Sequence, residues 1–192
     1  MGMRSGAVTA IGALDRIPWF TRGGLNSLAL VNRTLRQVTR YLTEPAIRAH
    51  AVGQVLEHIT ASTRVVIGHS LGSVVAYEAL STLPPTPRLP LLITLGSPLG
   101  LSAINRRLGQ PPGYPAAIRK WVNIAAPDDI VAARPDLRTV FDRDRPEDSH
   151  LAPTWRVHNG SRPHDVAHYL TKECCGNALA EALTLARPLP SR

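Results

Sequence analysis

The stretch Val65-Val66-Ile67-Gly68-His69-Ser70-Leu71-Gly72-Ser73-Val74-Val75-Ala76-Tyr77 limits what this chain can fold into more than any other. Three β-branched residues read as a buried strand, and a serine stands between two glycines. Apolar residues then resume over Leu71 to Leu83 at a length that predicts a helix. A serine held on the tight turn between such elements projects its hydroxyl above the carboxyl end of a sheet. Glycines two before and two after it are expected, because side chains there would strike the neighbouring strand and helix. Ser70 is thereby placed as a nucleophile. The same turn aims the N–H of Leu71, at the helix start, toward the place where a tetrahedral oxyanion would form, and the helix dipole reinforces it.

The rest of the pattern supplies the sheet. Arg64 to Ile67, Leu89 to Leu95, Trp121 to Ala125 and Trp155 to His158 are short, nearly continuous apolar runs that suit strands buried on both faces. With helices between and after them, the order predicts an α/β fold: a parallel sheet with crossover helices. Strands ending at Gly68, Leu95, Ala125 and His158 should lie in that spatial order, with helices Leu71 to Leu83 and Asn177 to Leu185 on the faces. Ahead of them, Leu25, Leu28, Leu35, Val38 and Leu42, then Ile47, Ala51, Val55 and Ile59, recur at helical spacing and predict two amphipathic helices separated at Pro45. Proline-rich loops follow at Pro84 to Pro90 and Gln110 to Pro115. The 192 residues suit one domain, a helical part over 1–62 and a core over 63–192.

Composition removes several classes. No apolar run reaches the ~18–20 residues of a membrane-spanning helix. Arg4 followed by Ala7 to Leu14 is too short and lacks the cleavage pattern of a signal peptide, so the chain reads as cytoplasmic. Adjacent Cys174 and Cys175 cannot staple distant segments and read as two small hydrophobes on a helix. The net charge is +8, with Lys120 and Lys172 the only lysines among 22 basic residues. These arginines are scattered and aromatics form only 5% of the chain, so nothing marks a nucleic-acid surface.

With its GHSLG turn between a buried strand and a helix, the chain resembles the α/β-hydrolase superfamily, and within it the lipase- and esterase-like members. The similarity takes in Leu95-Gly96-Ser97-Pro98-Leu99-Gly100 after the next strand and covers roughly Arg64 to the C-terminus. The resemblance implies hydrolysis of carboxyl esters of small molecules or lipids by a Ser, acid, His triad in that chain order, without metal or cofactor. It places the acid after Trp121-Val122-Asn123-Ile124-Ala125-Ala126, where Pro127-Asp128-Asp129-Ile130-Val131 offers two candidates. Asp129, immediately before the apolar pair, is favoured over Asp128; the other reads as a solvated turn or helix cap. The histidine should follow the strand Thr154 to Val157. His164, in the loop after Pro163, is favoured over His168, which lies a turn inside the next helix. Asp165 reads as that helix's cap and His69 as a residue packed beside the nucleophile. His50, His58 and His150 read as helix or loop surface.

The N-terminal part departs from the family. Full members open with strands and a His-Gly loop that supplies the second oxyanion donor, and the first sixty residues here show no such motif. The chain is therefore expected to be shortened, to leave the strand ending at Gly68 at an exposed edge, and to self-associate there. Loss of one oxyanion donor costs roughly 3–4 kcal/mol, a rate factor of ~100–1,000. Arg22-Gly23-Gly24 is the one local substitute. Two readings follow: a serine esterase, and a non-catalytic or weakly active α/β-hydrolase-like domain adapted for binding.

Overall fold

Among the described residues, five strands form one sheet in which every pairing is parallel. The computed structural model describes residues 36–108 and 111–185. Helix α1 (36–43) and α2 (Pro45–Glu57) lead into β1 (Val65–His69), α3 (Leu71–Ser81) and β2 (Leu89–Leu95). A 3₁₀ turn (Pro98–Gly100) and α4 (Ser102–Asn105) precede β3 (Ile118–Ala125), and a second 3₁₀ turn (Ile130–Ala132) and α5 (Arg138–Phe141) precede β4 (His150–Leu151). The described chain closes with β5 (Trp155–Arg156), α6 (Val166–Leu170) and α7 (Glu173–Leu185). Among the described residues no helix is long and apolar enough to cross a membrane.

The sheet runs β1-β2-β3, and β4 and β5 then pair one after the other along β3, the spatial order expected from sequential parallel crossovers. Two expectations fail in detail. The strand expected over Trp155 to His158, buried on both faces, is only the exposed pair Trp155–Arg156, and a further short strand, His150–Leu151, precedes it across Ala152-Pro153-Thr154, where Pro153 has no N–H to give to the ladder. Ala152 and Val157 keep the register on either side, donating to the carbonyls of Trp121 and Ala125 at 2.9 and 3.0 Å. The first strand is not buried on both faces, since Ile67 is 41% exposed. Among the described residues nothing pairs with the outer side of β1, so it lacks the cover that β2 and β3 receive from neighbours.

Strand alternation divides the core. Leu91, Ile93, Leu95, Val122 and Ile124 share one face, where Tyr169, Cys175, Ala178 and Ala182 from α6 and α7 cover them. Leu92, Thr94, Trp121 and Asn123 point the other way, where the Trp121 ring meets those of Tyr77 and Phe141 with centroids 5.7 and 5.4 Å apart. Polar atoms on this second face are bonded in series. Trp121 Nε1 donates to Thr94 Oγ1 at 3.0 Å, Thr94 Oγ1 to Asn123 Oδ1 at 2.8 Å, and Asn123 Nδ2 to the Pro135 carbonyl at 2.9 Å. Full burial of each large apolar side chain contributes ~1.5–3 kcal/mol, which makes β2 and β3 the rigid centre from which the loops at their carboxyl ends project.

Contacts divide the chain between Ala51 and Val52, within α2, and the sheet belongs to the later unit. In the earlier one, Val38 and Tyr41 are buried and the Arg48 guanidinium lies 6.0 Å from the centre of the Tyr41 ring. Helix α2 forms where its periodicity predicts, but none of its residues is buried. Its apolar stripe is thus half-exposed rather than packed away. Most of the first predicted helix, over Leu25 to Leu42, lies outside the described residues.

Candidate active site

Ser70 sits between β1 and α3 with φ 53° and ψ −128°. A non-glycine residue in this region is strained by about 1–3 kcal/mol and persists only where its surroundings hold it. They do so here: Ser70 N–H donates to the Leu95 carbonyl on β2 and Ser73 N–H donates to the Ser70 carbonyl, both at 3.0 Å. The two flanking glycines differ. A Cβ on Gly68 would lie 2.6 Å from Ser73 Cα and 2.8 Å from the Gly72 carbonyl oxygen, so only glycine lets β1 pass so close to the helix start. A Cβ on Gly72 would meet nothing within 4 Å. The expected steric need at Gly72 is therefore absent, because this residue is exposed at the open side of the first helical turn.

Two loops bring a histidine and an acid to the Ser70 turn. His164 Nε2 lies 2.9 Å from Ser70 Oγ, and His164 Nδ1 lies 2.9 and 3.0 Å from the two carboxylate oxygens of Asp129. The carboxylate only accepts, so Nδ1 carries the proton and Nε2 is left to accept from the serine hydroxyl. Asp129 is 1% exposed. It stands at the end of β3, where its Oδ1 also accepts from Val131 N–H at 3.0 Å and caps the 3₁₀ turn that follows. Asp128, the alternative acid, is exposed.

Asp129 has a third partner, on α6. The buried hydroxyl of Tyr169 donates to Asp129 Oδ2 at 2.6 Å and accepts from Ala126 N–H at 3.0 Å. Burial pushes the Tyr169 phenol well above its ordinary range, and the neighbouring carboxylate pushes the same way, so it remains a donor. Nothing in the sequence marks this contact, since Tyr169 is only one more residue of the helix that follows His164. Gly96 is a second residue whose place at the site the sequence does not mark. It has φ +53°, and a Cβ there would come within 2.7 Å of Asp129 Oδ2, 3.1 Å of the Tyr169 ring and 3.2 Å of His164 Nδ1.

The loop that presents His164 is tied at several points. His168 Nδ1 bonds the Asn159 carbonyl at 2.8 Å, which turns this second candidate histidine into a brace for the loop. Asn159 Nδ2 donates to the Pro163 carbonyl, and Lys172 Nζ to the His158 carbonyl. Asp165 caps α6 through Ala167 N–H at 2.9 Å, as its position predicts. His69 does more than pack: its Nε2 lies 3.0 Å from the His164 carbonyl, as a donor, and the two imidazole centres are 4.7 Å apart. Burial lowers the His69 pKa, and the nearby His164 lowers it further.

Leu71, the expected oxyanion donor, is half-buried as the first residue of α3, where a helix leaves backbone N–H groups without partners of its own. Arg22-Gly23-Gly24 lies outside the described residues. His58 bonds its own helix at the Gln54 carbonyl, and His150 is exposed at β4. Among the described residues no group of three or more acidic, histidine or cysteine side chains is placed to hold a metal ion. The chain matches no protein-family model, no curated protein and no solved structure at a significant level.

Proposed function

We propose that the chain is a serine hydrolase of carboxyl esters, acting through an acyl-enzyme on Ser70, with His164 as general base and Asp129 as the acid that orients it. One observation carries the reading: a single imidazole spans Ser70 Oγ and the Asp129 carboxylate at 2.9 Å on each side. Ser70 Oγ attacks the ester carbonyl carbon while its proton passes to His164 Nε2, and buried Asp129 stabilises the imidazolium. The carbonyl oxygen becomes an oxyanion that accepts from Leu71 N–H. Collapse breaks the bond to the alcohol, which leaves with the proton from His164. Water then attacks the acyl-enzyme, gives a proton to His164, and the second collapse releases the acid and returns that proton to Ser70. Neither step needs a metal or cofactor.

The test is labelling by a fluorophosphonate probe together with hydrolysis of a short aryl ester. The wild-type chain should be labelled at Ser70. Ser70→Ala should lose labelling and at least ~1,000-fold in turnover, with its thermal midpoint nearly unchanged. Turnover that survives Ser70→Ala would overturn the proposal.

A further inference from the structure

Beneath the nucleophile lies a pair of buried hydroxyls that the proposed reaction does not use. Ser73 is 0% and Ser97 1% exposed. Ser73 Oγ donates to the Ser70 carbonyl oxygen at 2.6 Å and lies 2.7 Å from Ser97 Oγ, which in turn accepts from Leu99 N–H at 3.2 Å. The proton directions are determined. Ser73 has spent its hydrogen on Ser70, so Ser97 must donate to Ser73, and the chain runs Leu99 N–H, Ser97 O–H, Ser73 O–H, Ser70 C=O. Ser73 N–H also donates to that carbonyl at 3.0 Å, so it accepts twice.

The carbonyl of Ser70 and the N–H of Leu71 belong to one peptide unit, which is planar and trans. Two bonds that hold the carbonyl toward Ser73, on the buried side of the turn, therefore hold the N–H in the opposite direction, away from the core. Donation to a carbonyl also polarises the N–H of the same amide, and each link of a hydrogen-bonded series strengthens the next by ~10–30%. We propose that Ser73, backed by Ser97, is a positioning residue that aims and strengthens the Leu71 N–H as the oxyanion donor. The inference rests on the hydrolase reading above. It also gives Gly68 a second purpose, since a side chain there would strike the backbone of Ser73 and displace the first hydroxyl.

The measurement is ester turnover and affinity for a trifluoromethyl ketone, which adds to the serine as a tetrahedral hemiketal oxyanion. Ser73→Ala should lower kcat about tenfold, less than the ~100–1,000-fold of losing a donor outright. KM should stay within about twofold and the acidic limb of the pH profile should not move, because His164 is untouched. Affinity for the ketone should fall by the same factor as kcat/KM. Ser97→Ala should move both quantities the same way by less. Ser73→Cys, which keeps the volume and weakens the donor, should fall between wild type and alanine. Should Ser73→Ala fail to fold, the other two variants decide. Ketone affinity within twofold of wild type in the folded variants, or a loss of kcat that comes entirely from a shifted acidic limb, overturns the inference while the hydrolase reading stands. A wild-type chain that neither turns over esters nor takes the fluorophosphonate at Ser70 overturns both.

Discussion

At the carboxyl ends of β1, β2 and β3, polar groups are buried and each has its place: Asp129 accepts from His164, Tyr169 and Val131, and Ser73 and Ser97 lie wholly inside. At the amino ends of the same strands the polar groups are formal charges around an open cavity of about 850 Å³, lined by Arg64, Arg88, Arg119 and Lys120. Arg88 meets Asp148 and Lys120 meets Glu181, but the Asp148 and Glu181 side chains are 63% and 51% exposed. The first arrangement depends on geometry that cannot relax, and the second on attraction that water screens. A small displacement at the carboxyl end should therefore cost much more than the loss of a whole charge at the amino end.

The sharpest way to break that contrast is Gly96→Ala. The added methyl would stand 2.7 Å from Asp129 Oδ2, on a backbone with φ +53°. The backbone alone should cost about 1–3 kcal/mol of stability. Displacement of Asp129 and His164 should lower ester turnover by roughly 100-fold. Chemical denaturation and turnover check the two effects, and an alanine variant with wild-type values in both would refute the idea of a rigid carboxyl end.

Acid should also act unequally on the two ends. His69 is held neutral in the fold by burial and by His164, so its pKa lies below the unfolded value. The unfolded chain takes up that proton first, and the contribution of neutral His69 is complete above ~pH 6.5 and lost as the pH falls below it. Asp148, held below the usual carboxylate range by its hydrogen bond to Arg88, stays charged over the same window. His69→Gln, which can keep a donor toward the His164 carbonyl, should flatten the loss of thermal stability between pH 7 and 5. An unchanged slope would mean that acid acts elsewhere.

The smallest effect is expected from Lys120→Ala. Lys120 Nζ bonds Glu181 at 2.5 Å and ties β3 to α7, but the pair is partly exposed and contributes ~0–1 kcal/mol. Stability should change by no more than ~0.5 kcal/mol and ester turnover by less than twofold. A larger loss would place the amino end among the rigid parts of the molecule.

The parallel order of the strands and the turn that raises Ser70 are legible in the sequence, whereas the two short segments that offer an acid and a histidine follow from the resemblance to a known family. The first two are properties of neighbouring residues: apolar runs of strand length and glycines about a serine. Which member of each pair faces Ser70 was decided by packing between segments far apart in the chain. Asp129 and His164 are 35 positions apart, and His164 and Ser70 are 94. The choice between Asp128 and Asp129, or His164 and His168, depends on where loops from β3 and β5 point, and periodicity does not encode direction. Tyr169, Gly96 and the Ser73–Ser97 pair were out of reach for the same reason. A phenol, an absent side chain and two hydroxyls take on meaning only from the atoms a folded chain places within 3 Å of them. The break at Pro153 was local chemistry, whereas the open space over Gly72 arises from the turn of a helix that the sequence placed correctly but could not orient.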